Sequence, residues 1–214
     1  MNYCVITADV NKSRDIPERQ ALQGRILEAI SQVNRDFKDH LIAKFAITLG
    51  DEWQGVLQDL TQSYRVVSFF QEALHPISVS FGVGTGEITT ELASNPAEMD
   101  GSVFHHSRQA LESGKQSAQQ VFYVTQNAAS DLILNTALHL LQILRTSWTE
   151  RQYQKVVLYK KYQKEKLVAS ELKVTQADIN KALLATNGRA YLEAEKKINH
   201  YLDLLLSSYP TGDD

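Results

Sequence analysis

The chain of 214 residues carries a formal net charge of −3, and 43% of its residues are hydrophobic. These values are typical of a globular protein and exclude wholesale disorder. Polar residues interrupt every apolar run well before a membrane-spanning length, and no signal-peptide pattern follows Met1. We therefore expect a soluble, cytoplasmic protein with no membrane partner, in which the single cysteine, Cys4, is a buried strand residue.

Strand and helix patterns alternate through the first 126 residues. In chain order they predict a strand over 3–8, a helix from Pro17 to about Phe37, a hairpin over 41–57, a helix over 60–74, a strand over 77–86 that enters a glycine-rich turn, a helix over 101–114 and a strand over 120–125. The order βαββαβαβ indicates an α+β domain of ferredoxin-like type, with helices on one face of its sheet.

Two acidic residues stand at predicted strand ends. Asp9 follows the first strand directly, and Asp51 lies at the tip of the predicted hairpin, next to Gly50. Mg²⁺ typically binds one or two protein carboxylates and fills its other positions with water and phosphate oxygens. The pattern therefore predicts a magnesium site held by Asp9 and Asp51 against a ligand phosphate. A Gly-Asp tip that is only a turn is the alternative.

Several short motifs resemble those of nucleotide cyclases. The order found in class III nucleotide cyclase domains is matched here by Asp9, Lys44, Gly50-Asp51, the stretch 81–87 and Arg108. The stretch 49–53, Leu-Gly-Asp-Glu-Trp, is similar to the GGDEF signature of diguanylate cyclases, which share the same palm fold. Over nearly its whole length the chain resembles the SatD family, which joins such a domain to a helical C-terminal domain.

The resemblance implies a site for a purine nucleotide. It makes Asp9 and Asp51 the metal ligands. Four residues of the loop after the first strand would bind a triphosphate through backbone N–H groups and side-chain cations: Asn11, Lys12, Ser13 and Arg14. Lys44 matches a position that reads the purine base, and Arg108 matches an arginine in the helix before the phosphates. A solvated lysine at position 44, and an ion pair of Arg108 with Glu112, are the simpler alternatives.

Two departures from the cyclase pattern count against catalysis. Active class III cyclases carry an asparagine one helical turn before the arginine, whereas the neighbouring positions here hold Phe104 and His105. Leu49 replaces the first glycine of the GGDEF signature, which removes a close backbone approach to the nucleotide. Because transition-state donors carry much of such catalysis, we assign no catalytic residue and lean towards a protein that is not an enzyme.

From residue 127 onwards the pattern changes to successive helices. It predicts a palm domain over 1–126, a linking helix over 127–147, a helical domain over 148–208 and a loose tail over 209–214. Lysine and arginine outnumber aspartate and glutamate eight to four within residues 148–186. This basic bias, to which Lys155 and Lys160 contribute, favours a polyanionic partner.

The stretch 165–183 fits a helix-turn-helix. Thr175 is placed to cap its second helix, with Asp178 three residues on. Four residues of that cap and helix are candidates to contact DNA: Thr175, Gln176, Asn180 and Lys181. Gln and Asn read adenine edges, and Lys binds phosphate or guanine. The pattern resembles sigma-factor region 4, with Lys173 where the turn usually carries glycine. A plain helical bundle for dimerisation or docking is the alternative.

Taken together, these patterns predict ligand-linked regulation. The expected protein is a homodimer in which a domain that binds a purine nucleotide and Mg²⁺ controls DNA binding by the helical domain. One alternative is an active nucleotide cyclase or nucleotidyltransferase that uses Asp9 and Asp51 as metal ligands, with the helical domain serving dimerisation only. Another is a degenerate palm that acts as an interaction scaffold.

Overall fold

The computed structural model describes residues 2–208, which form five strands, eight α-helices and three short 3₁₀ turns. The strands are β1 (Tyr3–Val10), β2 (Leu41–Leu49), β3 (Glu52–Leu57), β4 (Val79–Gly86) and β5 (Val121–Val124). The helices are α1 (Arg19–Asp36), α2 (Ser63–Leu74), α3 (Ser102–Gln116), α4 (Ala128–Thr146), α5 (Glu150–Tyr162), α6 (Glu165–Leu172), α7 (Gln176–Ala185) and α8 (Gly188–Ser208). The predicted order of strands and helices is confirmed.

The five strands form one sheet in the order β2-β3-β1-β4-β5. β1 is antiparallel to both β3 and β4, β2 is antiparallel to β3, and β5 is added parallel to β4. The elements β1 to β4, with α1 and α2 between them, have the βαββαβ order of a ferredoxin-like domain. The predicted fold class is therefore confirmed: a ferredoxin-like α+β domain of palm type, followed by an all-α part.

Side chains of β1 alternate between the two faces of this sheet. On one face, Cys4 and Ile6 belong to the main hydrophobic core, to which α1 and α2 contribute their buried residues. On the other face, Val5 packs in a smaller core with Val103 of α3. Helices therefore cover both faces, and the expectation that they lie on one face only is wrong.

Glycine at every second position of β4 allows α3 to lie directly on the sheet. A Cβ atom at Gly82 would come within 2.3 Å of the Leu111 nitrogen, and one at Gly84 would be 2.2 Å from the Ser107 nitrogen. The Ser107 hydroxyl lies 2.5 Å from Thr7 Oγ1 and donates to the Gly82 carbonyl at 3.1 Å. These contacts fix α3 against β1 and β4 and so determine where its charged side chains lie.

β5 is an edge strand, and α4 covers its free backbone edge. Asn135 accepts a hydrogen bond from the Tyr123 N–H at 2.7 Å and donates to the Tyr123 carbonyl at 2.9 Å. Gln142, seven residues further along the same side of the helix, accepts from the Gln120 N–H at 2.6 Å. Strand edges covered in this way are protected from pairing with another chain.

The helices after α4 pack onto the ferredoxin-like part. Val156 of α5 and Ile179 of α7 belong to the same hydrophobic core as the residues of β1. No helix within residues 2–208 is long and apolar enough to cross a membrane. The division of the chain after residues 126 and 147 stays a prediction, and the predicted tail over 209–214 lies outside the described residues.

Candidate functional site

Two carboxylates face each other at one end of the sheet. Asp9, near the end of β1, is paired in register with Glu52 at the start of β3 and with Ser80 of β4. Asp9 lies on the face that α3 covers, because it alternates with the core residues Ala8 and Val10. The residue that the strands place opposite Asp9 is therefore Glu52, the neighbour of the predicted ligand Asp51.

Two cations of α3 contact these carboxylates. Arg108 donates to both oxygens of Glu52, at 2.5 and 2.6 Å, and Lys115 forms an ion pair with Asp9. Thr48 of β2 adds a hydrogen bond to Glu52 at 3.1 Å. The hydrogen bond to Glu52 raises the pKa of Arg108, and partial burial of the guanidinium opposes this effect. The Glu52 side chain is 11% exposed and that of Arg108 is 47% exposed, so solvent reaches the site from the side of the cation.

The loop after β1 adjoins this pair of carboxylates. Asn11 is tied to β4, since it donates to Ser78 Oγ at 2.9 Å and accepts from Ser80 Oγ at 2.7 Å. Lys12 and Arg14 are exposed, and neither side chain has a hydrogen-bond or ion-pair partner within residues 2–208. Both cations are therefore free to contact an anionic ligand.

The other residues predicted for the palm site make no contact with the carboxylate pair of Asp9 and Glu52. Asp51 is half-buried in the turn after Gly50, where φ is 60°. Lys44 is exposed on the edge strand β2, and Ser13 begins a short 3₁₀ turn. In the described part of the chain, no hydrogen bond or ion pair joins Asp51 or Lys44 to Asp9. The structure thus brings Asp9 and the loop after it close to the helix that carries the predicted Arg108.

The sequence places Glu52 beside Asp51 in two adjacent carboxylates, but neither Glu52 nor Lys115 was predicted as a site residue. The side chain that faces Asp9 depends on strand register, and a shift of one residue moves every side chain to the other face. Lys115 follows Arg108 by seven residues, or about two helical turns, so the spacing alone indicates that both lie on one face of α3. The alternative ion pair of Arg108 with Glu112 is not formed, because Arg108 contacts Glu52 instead.

The two carboxylates at this end of the sheet are oxygen donors of the kind that divalent cations bind, and each is ion-paired with a cation of α3. Within residues 2–208 no group of three or more His, Cys, Asp or Glu side chains is gathered that would hold a metal ion. Asp9 and Glu52 supply two hard oxygen donors, which suffice for Mg²⁺ when phosphate oxygens and water complete its shell. The two α3 cations are charged groups that a phosphate would attract.

Two short helices, α6 and α7, occupy the stretch in which we expect a helix-turn-helix. Lys173, in the turn between them, has a left-handed φ of 53°, the conformation that usually favours glycine. Thr175 caps α7 by accepting a hydrogen bond from the Asp178 N–H at 3.1 Å. The four residues proposed to contact DNA are all exposed: Thr175, Gln176, Asn180 and Lys181.

Contacts within the helices pair two acidic residues around α7 with cations, whereas the exposed Glu171 accepts a hydrogen bond from the Tyr162 hydroxyl and forms no ion pair within residues 2–208. Lys155 contacts Asp178 at 2.5 Å, and Arg189 forms an ion pair with Glu165. Lys155 and Lys160 are thus used in internal ion pairs. The exposed lysines of this region that form no ion pair within residues 2–208 are Lys161, Lys164, Lys166, Lys173 and Lys181. This surface therefore keeps a positive charge.

The topology and the charged end of the sheet define a palm-type α+β protein that is extended by a bundle of helices. The family model described as the SatD family matches residues 3–202. This chain belongs to the SatD family. No curated protein sequence matches it.

Solved structures to which the chain shows some similarity include two cyclases and a regulator. A diguanylate cyclase, SiaD from Pseudomonas aeruginosa in complex with its activator SiaC, is 14% identical with a TM-score of 0.45. The match covers 58% of this chain and 50% of the cyclase chain. A bacterial light-regulated adenylyl cyclase is 12% identical with a TM-score of 0.45, over 57% of this chain and 74% of that one. A regulator of polyketide synthase expression from Bifidobacterium adolescentis is 16% identical with a TM-score of 0.29. The match covers 93% of this chain and 85% of the regulator chain. At these scores the likenesses carry no argument about function.

Proposed function

We propose that this SatD-family protein is a regulator that binds DNA through α7 and whose palm-type domain binds a ligand. The observation that carries the proposal is the exposed polar face of α7, beside which Asp178 and Glu165 are ion-paired internally and five exposed lysines are not. A positive surface supplies the electrostatic attraction to phosphates on which DNA binding rests. A helix with Gln, Asn and Lys on its exposed face suits readout in the major groove.

Two of the α7 side chains already make contacts that DNA would replace. Gln176 donates to Glu165 at 3.2 Å, and Asn180 accepts from Arg189 at 3.1 Å. Each amide uses one of its ends and keeps the other end for a base edge, whereas bidentate recognition of adenine uses both. Lys181 makes no such contact and needs no rearrangement. A homodimer, which would present two α7 helices to two half-sites, belongs to the same proposal and is measured by light scattering after size exclusion.

Charge reversal on α7 tests the DNA proposal. We expect Lys181→Glu to weaken binding to random-sequence duplex DNA and to lower the slope of log affinity against log salt by about one. Asn180→Ala should cost about 1–3 kcal/mol on a site selected from a random pool and relax its sequence preference. Fluorescence anisotropy over a salt series measures both effects.

A matched substitution on the palm serves as the control for DNA binding. Lys38 is exposed, lies between α1 and β2 and forms no ion pair within the described residues, so Lys38→Glu makes the same change of charge at another surface. It should leave the affinity and the salt slope unchanged. Equal effects of Lys38→Glu and Lys181→Glu, or no DNA retention by the wild type at low salt, would rule out α7 as the DNA-binding element.

A second function, nucleotide binding by the palm, is favoured by the charged groups at the end of the sheet. The loop cations Lys12 and Arg14, together with Arg108 and Lys115 of α3, would bind the phosphates of a purine nucleotide. Asp9, together with Glu52 or the sequence-predicted Asp51, would hold Mg²⁺, which would supply charge neutralisation of the phosphates. Lys44 remains the proposed contact to the base.

Thermal unfolding with ATP, GTP and cyclic dinucleotides, each with Mg²⁺ or with EDTA, tests the palm site. A nucleotide at about 100 times its Kd should add about 2.7 kcal/mol of stability. Because Glu52 rather than Asp51 faces Asp9, we expect the shift to be lost in Glu52→Gln and kept in Asp51→Ala, each measured against its own unliganded protein. The reverse pattern would restore Asp51 as the ligand.

An assay of ATP or GTP turnover distinguishes a domain that only binds a nucleotide from an active enzyme. We expect incubation with ATP or GTP and Mg²⁺ to leave the nucleotide unchanged when it is analysed by chromatography. A cyclic product that disappears in Asp9→Ala would support the alternative of an active cyclase or nucleotidyltransferase. If no nucleotide shifts the thermal unfolding, no nucleotide is turned over and no DNA binds, the remaining alternative is a palm that acts as an interaction scaffold.

A further inference from the structure

A cavity of about 200 Å³ lies where the ferredoxin-like part meets the helices. Its walls come from the connection between α2 and β4, from the end of α4 and from the start of α5. Trp148, Tyr153, Ile77 and Val79 form its apolar wall. Arg145 also lines it, and no aspartate or glutamate is among its described lining residues. The cavity therefore has a positive and an apolar side, and the carboxylate of Glu150 lies behind its lining residue His75, 2.7 Å from the imidazole Nε2.

Arg145 presents its guanidinium to this cavity. Its guanidinium donates to Gln71 Oε1 and Gln120 Oε1, both at 2.5 Å, and both acceptors are neutral amides. No carboxylate within residues 2–208 forms an ion pair with Arg145. Glu72 and Glu195 line a much smaller adjoining cavity together with Arg145 and Tyr153, and both carboxylates are ion-paired with Lys160. A guanidinium has five N–H donors, of which these two contacts use two, so donors remain for a ligand.

Two hydroxyl groups of the cavity wall also have a hydrogen to donate. The Tyr153 hydroxyl forms no hydrogen bond within the described residues, and its ring is held by stacking on His75 with centroids 3.6 Å apart. Burial raises the pKa of Tyr153, so the phenol is protonated at neutral pH. Ser78 Oγ accepts hydrogen bonds from Asn11 at 2.9 Å and from Gln120 at 3.1 Å, which leaves its own hydrogen available.

We propose that this cavity binds a small organic carboxylate, which accepts hydrogen bonds from Arg145, Tyr153 and Ser78 and places its apolar body against Trp148. The planar fork of an arginine matches a carboxylate through two parallel hydrogen bonds. The apolar wall favours an organic acid over inorganic phosphate, which has no apolar surface to bury. The acid would contact residues on both sides of the junction. This proposal does not rest on nucleotide or DNA binding.

Isothermal titration calorimetry of the full chain with benzoate, acetate and inorganic phosphate tests the proposal. We expect saturable binding of benzoate, weaker binding of acetate and none of phosphate. Tyr153→Phe keeps the ring and removes one hydrogen bond to a charged ligand, so it should weaken benzoate binding about tenfold. Arg145→Met should abolish it. Arg35→Met, at an exposed arginine of α1 that contacts Ser31, should leave it unchanged.

Circular dichroism establishes that each variant is folded, because Arg145 also holds Gln71 and Gln120. If Arg145→Met fails to fold, Tyr153→Phe and Ser78→Ala decide the matter, since each removes only a hydroxyl. Benzoate binding that survives all the folded variants unchanged would place the acid elsewhere and overturn the proposal. Binding of phosphate without benzoate, or no heat with any of the three anions, would also overturn it.

Discussion

Gly84→Ala is expected to destabilise the fold by about 3 kcal/mol or more. The added Cβ would lie 2.2 Å from the Ser107 nitrogen and 2.6 Å from the carbonyl carbon of His106. Both are backbone atoms of α3, so no rotation of a side chain relieves the clash. The helix must lift from β4, which breaks the 2.5 Å contact between Thr7 and Ser107. Denaturant unfolding followed by circular dichroism measures the change in the free energy of unfolding.

The same substitution in α1 serves as the control. Gly24 lies within that helix and has nothing within 4 Å of the position of a Cβ, so Gly24→Ala adds a methyl group to open space. Alanine is preferred to glycine inside a helix, and we expect a gain of about 0.5–1 kcal/mol. If the two Gly→Ala substitutions change the free energy of unfolding with opposite signs, the packing of α3 on β4 is established. Equal effects would contradict it.

The sequence predicts the ferredoxin-like core well because that core follows from local patterns. The apolar run of β1, the helix ended before Pro76 and the hairpin around Gly50 each depend on neighbouring residues only. The position of α3 is different. Its contact with the sheet depends on Gly82 and Gly84, which the sequence pattern places in a strand without indicating that a helix lies directly on them.

The sequence predicts the strand end at which the candidate site lies, but it does not predict which side chains contact each other there. Asp9 and Arg108 were identified, but the partner of each is distant in sequence: Glu52 lies 56 residues from Arg108, and Lys115 lies 106 residues from Asp9. Ion pairs across such separations depend on strand register and on how a helix lies on the sheet. Neither is visible in a local pattern.

Lys160→Met is expected to destabilise the protein by about 3 kcal/mol. Lys160 of α5 contacts Ser68 at 2.8 Å and Glu72 at 2.6 Å on α2, and Glu195 of α8 at 2.9 Å. The Glu195 side chain is only 6% exposed. The substitution leaves its carboxylate buried with no cation, and hydrogen bonds from Tyr64 and Ser68 at 3.1 and 3.3 Å do not replace the lost charge. Denaturant unfolding at pH 7 measures the loss.

Neutral pH is suitable for this measurement because folding raises the pKa of Lys160. Burial alone would lower the pKa of Lys160, but the attraction of Glu195 and Glu72 raises it above its ordinary value. A group whose pKa is raised by folding contributes its full stabilisation below its unfolded-state pKa, which is about 10.4 for lysine. It loses that contribution only as the pH rises through the folded-state value. At pH 7 the whole contribution of the charged lysine is present.

Glu195→Gln in the Lys160→Met background separates charge from packing. Glutamine keeps the shape of the side chain and accepts the same hydrogen bonds from Tyr64 and Ser68, while Glu72, with 32% of its side chain exposed, remains solvated. We expect the double variant to recover most of the lost stability, with a coupling energy above about 1.5 kcal/mol in the double-mutant cycle. Additive losses would mean that Lys160 does not balance the charge of Glu195, and that packing alone joins α2 to α5 and α8.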